Sequence, residues 1–102
     1  CGVGDVGGLT PLMKTIHLCE SFGMRCESHG GGPGNLHALC AMHNGEFYER
    51  GLSHPFIDFD EPAAYLHEHG EPMDEQGFVH VPQRPGLGMN INWDYIEKNT
   101  IK

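Results

Sequence analysis

At 102 residues the chain is one domain at most, and 15 Gly, 7 Pro and only 38% hydrophobic residues make it loop-rich with a thin core. Six Lys and Arg against 14 Asp and Glu give a net charge of −8, which excludes nucleic acid as a partner because phosphate binding needs clustered cations. No stretch approaches the roughly 18 apolar residues of a membrane span, so no membrane partner is expected either, and the expected location is cytoplasmic.

The chain opens on Cys1-Gly2-Val3-Gly4 with no initiator Met and no element start. It is expected to be a segment of a longer protein. Gly7-Gly8-Leu9 reads as a loop, and Thr10-Pro11 as a hydroxyl cap followed by a first-turn proline. Leu12, Met13, Ile16, Cys19 and Phe22 then recur at helical spacing and make one apolar stripe, which Gly23 ends. Met24 to Ser28 reads as a short strand, with His29 at its C-terminal end. Gly30-Gly31-Gly32-Pro33-Gly34 is loop. Asn35 is a candidate cap for a second helix carrying Leu36, Leu39, Cys40 and His43, ended by Asn44-Gly45. Glu46 to Glu49 is a second short strand with Glu49 at its tip. Helix, strand, helix, strand indicates an α/β sheet or barrel with parallel strands.

Past Arg50 the pattern changes, and the chain divides into residues 1–50 and a C-terminal extension, 51–102. Residues 51–76 read as irregular with a helical turn near Pro62 to His67. Phe78 to Val81 reads as a strand, Pro82 to Gly88 as a rigid turn, and Asn92 as the cap of a short last helix. Between Gly51 and Gln83 there are seven acids and no Lys or Arg, a pattern expected of a solvated face. The four cysteines contain no C-x-x-C pair, and free buried thiols of a reducing compartment are expected rather than disulfides.

His29 is the sharpest feature. A strand tip followed by five flexible residues is where α/β proteins keep their active sites, and an imidazole titrates near neutral pH. Glu49 ends the next strand and is expected to face the same mouth. The bland readings are a surface histidine, one of eight, and a solvated rim carboxylate. Gly30 and Gly31 suit close backbone approach to a substrate, although the loop lacks both the P-loop lysine and the G-x-G-x-x-G spacing. His67-x-His69 with Glu68 and Glu71 lacks the spacing of a structural zinc site, and no metal ligand is expected within the chain.

Four stretches in this order resemble the mandelate racemase group of the enolase superfamily, the branch that with muconate lactonizing enzyme includes acid-sugar dehydratases. Asp5-Val6-Gly7-Gly8-Leu9-Thr10 resembles the group's turn into the sixth barrel helix. Ser28-His29 falls where the seventh strand ends in the catalytic histidine. Glu49, twenty positions after His29, falls where the eighth strand ends in an acid that meets the substrate. Val81-Pro82 with Pro85-Gly86-Leu87-Gly88 resembles the closing turn.

The resemblance implies an α/β fold: the last part of a (β/α)8 TIM-type barrel, with a tail returning to a capping domain outside this chain. It implies proton abstraction α to a carboxylate, an enediolate stabilised by magnesium whose ligands lie outside this chain, and then loss of water from a sugar acid. His29 would be the acid/base group and Glu49 a partner of the enediolate oxygen. The remainder of the barrel and the capping domain would be partners, in a homo-oligomer. The group's usual Asp at the tip of the sixth strand has no counterpart: counting back from Gly7, that position is Gly2. Either the His–Asp dyad is absent or Asp5 serves in another geometry. A racemase or epimerase is the alternative within the class. Outside it stand a non-catalytic, partner-binding α/β fragment and a His67/His69 zinc-storage module.

Overall fold

Leu12 and Ile16, one helical turn apart, are the two most completely buried large side chains, at 0% and 1% exposure. They anchor α1, Leu9–Ser21, in a computed structural model that describes residues 1–50, 54–56 and 60–101. Two compact units are present, Cys1–Leu52 and Ser53–Lys102.

In the first unit, α1 starts two residues earlier than its Thr10 signal suggests. Gly8 is the N-cap, with φ at 125°, and no side chain caps the helix. Thr10 and Pro11 instead occupy the first turn, where proline's missing N–H has no helical partner to lose. The C-terminus is a Schellman motif as Gly23 predicts. Gly23, at φ 65°, donates to Glu20 O and Met24 donates to Cys19 O, each at 2.9 Å. The second helix, α2, is Pro33–Cys40, with Gly32 as N-cap and Pro33 at the first position. Asn35 is therefore not its cap but a buried residue inside its first turn. The helix also ends before Asn44-Gly45, tightened by Ala41 N–H to Ala38 O and Met42 N–H to Leu39 O.

The expected strands Met24–Ser28 and Glu46–Glu49 are extended but not paired as a ladder. Cys26 N–H bonds Asn44 O at 3.0 Å, two residues before the second segment begins, and His29 N–H to Cys1 O at 3.1 Å ties the first to the N-terminal residues. A parallel ladder needs evenly spaced slanted bonds. Here the Glu27 carboxylate receives the N–H groups of Phe47 (3.2 Å) and Glu46 (3.4 Å) in place of a neighbouring carbonyl. Cys26, Ala38 and Met42 close the core around Leu12 and Ile16, with Val3, Val6, Met13, Cys19 and Leu39 at its margin. All four cysteines are free, but only Cys26 is buried; Cys1 and Cys40 are exposed, so the expectation of buried thiols holds for one of them. Burial, followed by the neighbouring Cys19, pushes the Cys26 thiol up, which keeps it protonated and unreactive.

Ser28 points inward at 4% exposure, and its hydroxyl has no hydrogen-bond partner. The side chain is enclosed by atoms of its own unit. Ser28→Ala is therefore expected to be neutral or stabilising by up to about 1 kcal/mol, since an unmade buried hydrogen bond costs about that or more. A loss of more than about 1 kcal/mol in denaturant unfolding contradicts the packing described here.

In the second unit the last helix, α3, is Trp93–Asn99, and Asn92 caps it as its sequence predicts, accepting from Tyr95 N–H at 3.0 Å. The expected helical turn near Pro62–His67 is instead a single tight turn closed by Leu66 N–H to Ala63 O at 2.7 Å. The expected strand Phe78–Val81 reduces to one antiparallel bridge, Met73 to Val79. Between these two residues the Asp74 carboxylate takes the N–H groups of Phe78 and Gln76 and binds His80 Nε2 at 2.7 Å. These bonds, that of Phe78 foremost, hold its pKa below the usual range. Gly88 is required in the closing turn, because a Cβ there would lie 2.3 Å from Pro82 Cβ. The acidic run is solvated as expected at Asp60, Glu61, Glu68 and Glu75, which are exposed, whereas Glu71 is buried; Asp74 binds His80, and Glu68 pairs with Arg84, the first cation after the run. Asp58 lies outside the described residues.

Candidate active site

The extended segment 24–29 alternates its side chains, as any extended chain must. Ser28 turns into the core, and His29 turns out with 73% of its side chain exposed. His29 Nδ1 lies 3.8 Å from Asp5 Oδ2, too long for a hydrogen bond but within ion-pair reach. The same Asp5 oxygen accepts the Gly2 N–H at 2.8 Å, which seats the carboxylate on its own turn.

Gly2 is buried, and a Cβ on it would lie 2.3 Å from the backbone oxygen of His29, 3.2 Å from Asn35 Nδ2 and 3.3 Å from Asp5 Oδ2. No side chain fits there. The chain thus offers a carboxylate to the imidazole three residues later than the resemblance implies, and the His29 carbonyl oxygen stands where a Cβ of residue 2 would have to be.

Glu49 lies at the end of the next extended segment, and its Oε2 accepts the Gly30 N–H at 2.9 Å. His29 and Glu49 are thereby brought together through the residue that follows the histidine. Of the glycines expected to approach a substrate, Gly30 gives its N–H to Glu49, and Gly31 gives its carbonyl to Asn35 Nδ2 at 3.1 Å. Gly30 and Gly32 have φ of 78° and 110°, a region that L side chains rarely enter, so both must be glycine.

Two residues of this neighbourhood escape a reading by motif. Tyr48 Oη accepts the Gly32 N–H at 2.7 Å and donates to Gly32 O at 3.3 Å. Its one sequence signal is its place beside Glu49. Asn35 is the other: its side chain bonds both the glycine loop and Val3, whereas in sequence it reads as a helix cap.

Magnesium takes six oxygens in near-octahedral array. Among the described residues no three His, Cys, Asp or Glu side chains converge to hold a metal, and His67 and His69 belong to no such group.

Known proteins resemble this chain in sequence and fold. The chain is 52% identical to D-glucarate dehydratase from Agrobacterium tumefaciens, whose crystal structure is complexed with magnesium; the TM-score is 0.93 over 99% of this chain and 26% of that one. A D-galactonate dehydratase family member of Musicola paradisiaca is 30% identical over 111 residues, covering 96% of this chain and 24% of the relative. A D-galactonate dehydratase family member of Enterocloster bolteae is 27% identical over 93 residues, covering 88% and 22%. The chain thus spans about a quarter of the length of the relatives it matches. Residues 1–95 match the family described as enolase C-terminal domain-like, and with nearly the whole sequence included in that match, the chain belongs to this family.

Proposed function

We propose that this chain is the C-terminal part of a magnesium-dependent acid-sugar dehydratase, a lyase of the enolase superfamily. Its segments 24–29 and 45–50 would be the last two strands of a (β/α)8 barrel that the rest of the protein completes. The observation that carries the reading is the convergence of Asp5, His29 and Glu49 around one glycine loop, in a chain half identical to a glucarate dehydratase. The metal's ligands would come from the remainder of the protein, and magnesium would supply Lewis-acid stabilisation of the substrate carboxylate.

In this reading Asp5 faces Nδ1 of His29, favours the tautomer protonated there, and leaves Nε2 as the working nitrogen. His29 Nε2 removes the proton α to the carboxylate or protonates the departing β-hydroxyl. Either way the α-proton and the hydroxyl leave together as the elements of water, and the resulting enol becomes a 2-keto acid. Glu49, seated on the Gly30 N–H, presents its other oxygen to the substrate. The Gly31 N–H points away from its Asn35-bound neighbour and is available to a substrate oxygen.

The test is the full-length enzyme with magnesium against a library of sugar acids, followed by carbonyl detection and NMR. Formation of a 2-keto acid is the expected result. Inversion at the α-carbon without loss of water establishes a racemase or epimerase instead, and no turnover of any acid sugar overturns the reading.

A further inference from the structure

Three consecutive carbonyls, those of His29, Gly30 and Gly31, accept from the one side-chain nitrogen of Asn35, at 3.1, 2.9 and 3.1 Å. The Asn35 Oδ1 accepts the Val3 N–H at 2.8 Å. Asn35 is only 7% exposed, so these bonds are largely shielded from bulk water. An amide nitrogen carries two N–H groups, and three oxygens share them. Aspartate at this position would keep the acceptor for Val3 but turn an oxygen on three carbonyls.

In a trans peptide the carbonyl and the N–H point in opposite directions, and no peptide here is cis. The peptide joining His29 to Gly30 is therefore held from both sides, its oxygen by Asn35 and its N–H by Glu49. The peptide joining Gly31 to Gly32 is held in the same way, between Asn35 and the Tyr48 hydroxyl. Through Val3, Asn35 also ties this loop to the turn that carries Asp5.

We propose that Asn35 is the positioning residue of this site. It stretches the glycine loop against Glu49 and Tyr48, so that Glu49 and His29 address one substrate, and it fixes the Asp5 turn beside the imidazole. Asn35 itself touches no substrate. The proposal rests on the reading of His29 and Glu49 as the reacting groups.

The experiment compares Asn35→Asp, Tyr48→Phe and His29→Asn in the full-length, magnesium-loaded enzyme, assayed with its acid sugar well below the unfolding temperature. Asn35→Asp is expected to lower kcat by about 10–100-fold, as displacements near 1 Å do, with KM changed less than about threefold. A residue that only stabilises the fold would lower Tm and leave kcat per folded molecule unchanged, and that result overturns the proposal. Should Asn35→Asp not fold, Tyr48→Phe loosens the same loop from its other side. It is expected to lower kcat by about 5–10-fold by the same displacement, and an unaltered kcat overturns the proposal. Loss of activity in His29→Asn with normal Asn35 and Tyr48 variants removes the positioning role alone. An active His29→Asn removes the reading of the site and the proposal with it.

Discussion

His29→Asn in the full-length enzyme is expected to reduce kcat by about 10³-fold or more, because a positioned acid/base group contributes about 10²–10⁴ and asparagine has no titratable proton near neutral pH. The substitution isolates chemistry from folding. The imidazole is mostly exposed and its backbone N–H, not its ring, bonds Cys1. Asparagine keeps a donor where Nδ1 now faces Asp5, and an exposed substitution of this kind changes stability by no more than about 0.5 kcal/mol. Unfolding at an unaltered temperature alongside absent turnover is the outcome that fits. Activity within a factor of a few of the parent enzyme removes His29 from the mechanism. Glu49→Gln is expected to be milder, about tenfold by the loss of one charge-assisted hydrogen bond, since an amide oxygen still accepts from Gly30 and the amide nitrogen can still donate to a substrate oxygen.

Gly2→Ala is expected to damage stability and activity together, although alanine is the smallest possible change. Its methyl group would sit 2.3 Å from the His29 carbonyl oxygen. The obstructing atom is backbone, so no rotamer relieves the clash. Overpacking of this kind costs about 1–3 kcal/mol, and the relief available is to push the Asp5 turn away from His29, with a further fall in kcat of about 10–100-fold. Gly2→Asp tests the same point more sharply. It restores an aspartate at the position where the resembling family has one, and it is expected to fail to rescue Asp5→Asn, because the same clash precedes any benefit from the carboxylate. Rescue of Asp5→Asn by Gly2→Asp, measured as kcat with the acid sugar, would show that the turn yields and that a carboxylate is tolerated at residue 2.

The local elements were legible because their signals are local. The α1 stripe from Leu12 to Cys19, the Gly23 stop and the Asn92 cap depend on residues within a turn or two of one another, and each formed where its pattern indicates, whereas Phe22, expected to extend the stripe, is the C-cap and 75% exposed. The spacing of His29 and Glu49 was legible for the same reason, as one extended segment, one helix and one extended segment in succession. Strand pairing was not, because a ladder depends on distant partners: Glu27 accepts the amides that a neighbouring carbonyl would otherwise receive.

The remaining features were decided by contacts between residues far apart in the chain. Asn35 carries the sequence signature of a cap, but its amide reaches Val3, 32 positions away, and that contact makes it the centre of the loop rather than the start of a helix. Gly2 reads as a missing aspartate until its approach to the His29 carbonyl shows that no side chain can occupy the position. Residue types and their spacing by themselves singled out His29 and Glu49 as the candidate groups. Which carboxylate stands beside the imidazole depended on how closely two backbone segments pack, since van der Waals exclusion at 2–3 Å is a property of the folded chain alone.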